Sequence, residues 1–339
     1  MMAMNDWRNC PVCDASPRTA VVFVDETVDQ SRLSGFSFSS RKEPEYMSHR
    51  MVRCPSCDLV YVDRPPPQDV LAKAYHQAEY DSSEEANDAA LDYAKAIAPI
   101  LTQLRRRDSA LEIGTGTGVF LEHLQEVGFK TLVGVEPSRA AIQAAPAHRR
   151  GWIKETIFVE EDFSPSSFDL ICCFMTMEHV LHPGDIARSA MRLLRPGGAF
   201  VTVTHDYRSL VNRLLGKRSP IIDLEHMQLF SAPSARQLFE RCQYQQVSVK
   251  AFINTYSVRY WLRLMPLPGF MKRPTLNLVA NVGLGRIKFA FNVGNIVTAG
   301  FKESSVIPSA TTRAPSQQIP TSDSLTLNTS NVSPGGDVG

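Results

Sequence analysis

Short apolar runs alternate with segments of helical spacing through the middle of the chain. SALEI at 109–113 reads as a strand, GVFLEHLQEVG at 118–128 as a helix closing on Gly128, and TLVGVE at 131–136 as the next strand. Pro137-Ser138 opens a further helix, with Ser138 at its N-cap. FDLICCFM at 168–175 is a continuous apolar strand. PGDIARSAMRLLRPGG at 183–198 is a helix ended by Pro196, Gly197 and Gly198, and AFVTVTH at 199–205 is a strand again. Such alternation predicts a mostly parallel, doubly wound α/β sheet of Rossmann-like type, covered on both faces. Residues 68–107 carry Leu71, Ala74, Tyr75, Ile97, Ile100 and Leu104 near helical spacing, and FSAPSARQLFERC at 230–242 adds one more helix. VSVKAFI at 247–253 and GNIVTAGFK at 294–302 are strand-like and would close the sheet.

The ends of the chain follow other patterns. TAVVFVD at 19–25 and LVYVD at 59–63 are β-rich, and Pro65-Pro66-Pro67 then breaks the chain. From Glu303 to Gly339 there is no aromatic residue and about a third of the positions are Ser or Thr, which predicts a disordered tail. The division expected is a small module over 1–65, a main domain over 66–302 and a tail over 303–339. Apolar residues are 43% of the 339, enough for a large core. With 36 Lys+Arg against 35 Asp+Glu, global charge offers no argument for a nucleic-acid partner. The first twenty residues lack the apolar segment of a secretory signal, and no run of about eighteen apolar residues occurs. Seven cysteines, an odd count, argue against a disulfide framework, so the reducing cytoplasm is the expected compartment.

Chemistry enters at Glu112-Ile113-Gly114-Thr115-Gly116-Thr117-Gly118, where a strand turns into a helix. Glycines there permit a tight turn and close approach of a ligand. Glu136 ends the following strand, where a carboxylate can accept hydrogen bonds from both ribose hydroxyls of a nucleoside. The spacing is G-x-G-x-G, so Val119 breaks the dinucleotide fingerprint, and no Gly-Lys-Ser/Thr completes a Walker loop.

The ordered series E-I-G-T-G-T-G, V-G-V-E-P-S, S-F-D-L-I, M-E-H-V-L-H-P and L-L-R-P-G-G-A-F resembles class I S-adenosylmethionine-dependent methyltransferases over roughly residues 70–245. The resemblance implies that Glu112, Gly114, Gly116 and Gly118 hold the methionine part of the donor and Glu136 its ribose, with Asp162 as candidate on the adenine side. Methyl transfer from a sulfonium is an in-line displacement that often needs a base for an acceptor hydroxyl. Met177-Glu178-His179-Val180 follows the strand at 168–175, where ligands sit in open α/β sheets. His179 is the candidate base and Glu178 the candidate group that orients it; a histidine merely bonded to backbone is the plainer alternative. Quinone-pathway O-methyltransferases are similar here but carry a further Glu three residues before the Glu-His pair. That position is Met175, which argues against a divalent ion bound in their manner. Asp223-Leu-Glu-His226 resembles the family's segment before its last helix, and Tyr75 and Tyr80 match tyrosines that fold over the donor. The function implied is methylation, at oxygen, of a small-molecule, sugar- or lipid-linked acceptor. A sugar C-methyltransferase-like enzyme and a non-catalytic binding protein with a relic donor site are the alternatives. Nucleic acid is disfavoured as substrate, because the strand at 168–175 is not followed by an Asn/Asp-Pro-Pro-aromatic signature.

Two further features stand outside that series. Cys10-Pro-Val-Cys13 and Cys54-Pro-Ser-Cys57 have the spacing of two knuckles around one structural zinc ion, a zinc-ribbon-like arrangement. Redox CxxC chemistry is the competitor and would need a βα context that neither pair shows. Between Arg241 and Lys302 there are nine Lys/Arg and no Asp or Glu, interspersed with Tyr256, Tyr260, Trp261 and Phe270. This mixture suggests peripheral contact with an anionic membrane surface, against the simpler reading of a solvated cap over the site.

Overall fold

The computed structural model describes residues 7–39, 44–80 and 82–304. From residue 305 on, the expected disordered tail lies outside the described residues.

The strands in chain order are β1 (Val21–Val24), β2 (Met51–Arg53), β3 (Val60–Val62), β4 (Ser109–Ile113), β5 (Thr131–Glu136), β6 (Ile153–Glu155), β7 (Phe168–Phe174), β8 (Leu194–His205), β9 (Gln228–Leu229), β10 (Gln245–Ser257) and β11 (Lys288–Phe301). Seven of them form one sheet in the order β10-β11-β8-β7-β4-β5-β6. Pairing is parallel from β8 through β6, and β11 runs antiparallel between β8 and β10. The expected mostly parallel Rossmann-like sheet is therefore present. β4 and β7 lie side by side at its centre, and every residue of both is buried. A strand covered on both faces has no solvent side, which is why both sequences read as mainly apolar runs, interrupted by Ser109, Glu112 and Asp169.

Helices flank the sheet. The helical spacing over 68–107 corresponds to two helices, Gln68–Gln77 and Ser83–Leu101. The helix expected over 183–198 stops at Leu193, because Leu194 to Gly198 already belong to β8. The helix Ala232–Arg241 starts at a capping box in which Ser231 and Ser234 satisfy each other's backbone N–H.

The other sheet is antiparallel, in the order β1-β2-β3-β9. Its fourth strand comes from the segment after His226, far along the chain from the other three. Cys10, Val12, Leu59 and Tyr61 share one apolar cluster with Phe200, Leu238 and Phe239 of the main domain. Val60 and Val62 share another with Ile222, Met227 and Leu229. The guanidinium of Arg8 donates to the carbonyls of Val62, Leu181 and Met227 at 2.6–2.8 Å, tying the N-terminal segment to two loops of the main domain. The cysteine-bearing segment and the main domain thus bury a common core. Among the described residues no helix is long and apolar enough to cross a membrane.

Candidate functional site

A cleft of about 370 Å³ opens beyond the C-terminal ends of β4, β5 and β7, a size suited to a small molecule. Its floor is the turn from β4 into the helix Val119–Glu126. Gly114 and Thr115 both donate from backbone N–H to the carbonyl of Val135, at 2.9 and 3.1 Å, which folds the turn back onto β5. Gly114 has φ +77°, and a Cβ there would come within 2.2 Å of the Thr176 hydroxyl. Only glycine serves both demands at once. Gly116 lines the cleft, whereas Gly118 is the left-handed N-cap of the helix and lies behind it.

Two acidic residues mark this end. Glu112 is buried and accepts a hydrogen bond from the Thr115 hydroxyl. Glu136 accepts from the backbone N–H of Gly116 and of Ser138, each at 2.8 Å. Its burial raises its pKa above the ordinary carboxylate value, and these two bonds work against that rise. Both residues line the cleft, beside Thr115, Thr117 and Ser138. Asp162 does not reach it. That residue is exposed in the short turn Glu160–Asp162, and the wall of the cleft before β7 is made by Ile157 and Phe158 instead.

His179 lines the same cleft. Its Nδ1 lies 3.2 Å from the carbonyl oxygen of Glu225 and 3.1 Å from the Tyr75 hydroxyl. The Tyr75 hydroxyl in turn donates to the Glu225 carbonyl at 3.1 Å. A carbonyl can only accept, so the contact with Glu225 is a hydrogen bond in the neutral tautomer that carries its proton on Nδ1 and its lone pair on Nε2. The imidazole also packs on His226, with ring centroids 4.8 Å apart, and His226 packs on His205 at 5.3 Å. His226 points its Nδ1 at the carbonyl of Ile221, 2.8 Å away, and so stands behind His179. Burial pushes the His205 pKa down to about 4, which keeps that ring neutral near pH 7.

The expected partnership of Glu178 with His179 is not formed. Glu178 is fully buried and accepts from the backbone N–H of His205 at 2.6 Å, joining the loop after β7 to the end of β8. Its other oxygen has no hydrogen-bond partner among the described residues, and burial pushes its pKa up to about 8. His179 lines the cleft while Glu178 is buried against the end of β8, so a side chain next to His179 in sequence need not lie next to it in space. Met175, at the position where quinone-pathway enzymes carry Glu, lines the cleft with φ +49°.

The remaining wall comes from elements that sequence reasoning placed elsewhere or missed. Tyr75 and Tyr80 line the cleft as anticipated, and so do Phe38 and Ser39, from the segment between the two cysteine pairs. Phe38 packs edge-on against Tyr75 at 5.3 Å, and the backbone N–H of Glu79 donates to the carbonyl of Gly35 at 2.9 Å. Nothing local in the sequence around Phe38 signals this, because the contact spans the whole N-terminal module.

The four cysteines do converge. Their sulfurs all lie within 4.8 Å of one another, with Cys10–Cys57 at 3.4 Å and Cys13–Cys54 at 3.5 Å. A tetrahedral ion with metal–sulfur bonds near 2.3 Å needs sulfurs about 3.8 Å apart, so the cluster fits one. The two turns repeat each other. Asp14 donates from its N–H to the carbonyl of Cys10 and Asp58 to that of Cys54, and both aspartates adopt positive φ, 61° and 64°.

The family model described as a methyltransferase domain matches residues 85–249, just under half of the chain. The sheet order over this stretch is that of a Rossmann-like fold, and the match shows its similarity to methyltransferase domains. Among curated relatives, the chain is 30% identical over 148 residues to a ubiquinone biosynthesis O-methyltransferase of Alkalilimnicola ehrlichii, covering 41% of this chain and 58% of that protein. It is 26% identical over 149 residues to the enzyme of that name from Paracidovorax citrulli, covering 41% and 60%. The chain therefore spans about three-fifths of the length of these relatives. Similar solved structures include a methyltransferase of Thermotoga maritima, with 20% identity, TM-score 0.44 and coverage of 66% of this chain and 93% of that one. Another is from Archaeoglobus fulgidus, with 12% identity, TM-score 0.44 and coverage of 70% and 100%.

Proposed function

We propose that the protein transfers the methyl group of S-adenosylmethionine to an oxygen of a small-molecule, sugar- or lipid-linked acceptor. The observation that carries this reading is the placement in one cleft of the Gly114–Gly116 turn, the buried carboxylate of Glu136, and the His179 imidazole. Glu136 uses one lone pair on each oxygen for backbone N–H groups, which leaves the others for two ribose hydroxyls. Glu112 and the turn take the methionine part of the donor, and the apolar Ile157 and Phe158 face the adenine. The acceptor oxygen attacks the methyl carbon as the carbon–sulfur bond breaks, the sulfonium becomes a neutral thioether, and the acceptor's proton passes to Nε2 of His179. The relatives named O-methyltransferases support oxygen as the target.

The four thiolates hold a structural zinc ion, since four protein ligands leave no open coordination position for catalysis. Their module contributes to the reaction by presenting Phe38 and Ser39 to the cleft.

Calorimetry with S-adenosylmethionine and its demethylated product tests the donor assignment. Binding is expected, and Glu136→Ala should weaken it by about 1–3 kcal/mol, the cost of losing hydrogen bonds to a buried charged group. No binding heat at millimolar concentrations of either compound would refute the reading.

A further inference from the structure

We infer that the far end of the β10–β11 hairpin is a docking surface for an anionic lipid bilayer. The hairpin outgrows the sheet. β11 pairs with β8 only over Asn295–Phe301, whereas Asn254–Ser257 and Lys288–Phe291 pair solely with each other. At this tip stand the helices Val258–Leu264 and Gly269–Asn281, beyond the stretch that matches the methyltransferase family.

None of the described side chains of the longer helix is fully buried. Phe270 is open at 78% exposure, Leu278 at 62% and Met271 at 48%. Val282, Leu284 and Ile287 continue the exposed apolar surface. A helix of thirteen residues is marginal by itself in water, and in globular proteins burial of an apolar face normally supplies its stability. Here Leu276 and Val279 are only half-buried while Phe270, Met271 and Leu278 face outward, so that side calls for a surface outside the chain.

Charge selects the surface. Between 258 and 291 there are six Lys/Arg and no Asp or Glu. Arg263 and Lys288 turn inward to Glu85 and Asp88, at 3.6 and 2.6 Å, while Arg259, Arg273 and Arg286 are exposed beside the apolar side chains. An isologous contact with a second copy would set two such basic patches face to face, which disfavours self-association. Basic residues around an apolar, aromatic-bearing helix match the headgroup and acyl layers of an anionic leaflet. The inward ion pairs fasten the tip to the helix Ser83–Leu101, whose Ala86, Ala90 and Tyr93 line the cleft. A bilayer bound at the tip would therefore lie near the donor site. The inference stands apart from the assignment of methyl transfer, since its readout is binding alone.

The test is co-sedimentation of the full chain with vesicles of phosphatidylcholine alone or mixed with phosphatidylglycerol. The mixed vesicles should retain the chain at low salt and release it as salt rises, while neutral vesicles retain it weakly. Phe270→Asp with Leu278→Asp, and separately Arg273→Glu with Arg286→Glu, should each lower the bound fraction by about tenfold or more. Circular dichroism would verify that both variants keep the wild-type fold. Absence of binding to phosphatidylglycerol vesicles at low salt would overturn the inference. So would a dimer in ultracentrifugation that Phe270→Asp dissolves, or equal binding by the wild type and the charge-reversed variant.

Discussion

His179 and Glu178 are neighbours in sequence, yet the fold gives them separate tasks. The imidazole faces the cleft beside the Tyr75 hydroxyl and the Glu225 carbonyl, and the carboxylate turns inward to the His205 backbone. His179→Ala should lower kcat by about 10²–10⁴ while leaving affinity for the demethylated donor unchanged by calorimetry; a wild-type rate would remove His179 from the reaction. Glu178 makes a different prediction. Its folded pKa of about 8 lies above the ordinary 4.5, so the folded chain keeps a proton that the unfolded chain releases across that interval. Stability from this group is therefore full below about pH 4.5 and is lost as pH rises towards 8. Gln cannot ionise, so Glu178→Gln should flatten the decline of Tm between those pH values; parallel curves for the two proteins would show that Glu178 does not bind this proton.

At the scale of elements, the two cysteine turns act as clasps on the antiparallel sheet. Cys54 lies just past β2 and Cys57 just before β3, so the connection between these strands is itself a knuckle, and Cys10 and Cys13 bring the N-terminal segment against it. Cys54→Ser should abolish retention of zinc, expected as one ion per chain by elemental analysis of the wild type, and should lower Tm by several degrees. A chain that holds no metal and is indifferent to the substitution would show that the thiols are only neighbours. β9 completes this sheet with just Gln228 and Leu229. So short a strand holds because β3 and the flanking apolar residues Met227 and Phe230 hold it.

Across the whole molecule, the shared core predicts one cooperative unfolding event. Cys10, Leu59 and Tyr61 pack in the same cluster as Phe200 and Phe239, and β3 pairs with β9. Unfolding followed by zinc release and by tryptophan fluorescence should give coincident midpoints. Two separated transitions would mean that residues 1–65 fold independently.

The short, mainly apolar runs at 109–113, 131–136 and 168–175 are enough to place the central strands, since a strand covered on both faces leaves little room for polar side chains. The glycine turn and Glu136 were legible for a similar reason: positive φ and close backbone approach leave few residue types to choose from. The cysteine spacing likewise announced its own cluster. By contrast β9, the tip helices, and the contacts of Phe38, Tyr75 and Glu225 around His179 carry no local mark. Their roles depend on which distant surfaces meet, and Asp162 was misjudged on the same ground, being near the cleft along the chain but outside it in space. Local steric rules and the periodicity of burial act within a few residues, so sequence alone determines the central strands, the donor turn and the cysteine knuckles. Which side chain faces His179, and which helix keeps an apolar side open, is decided only when distant segments compete for the same space.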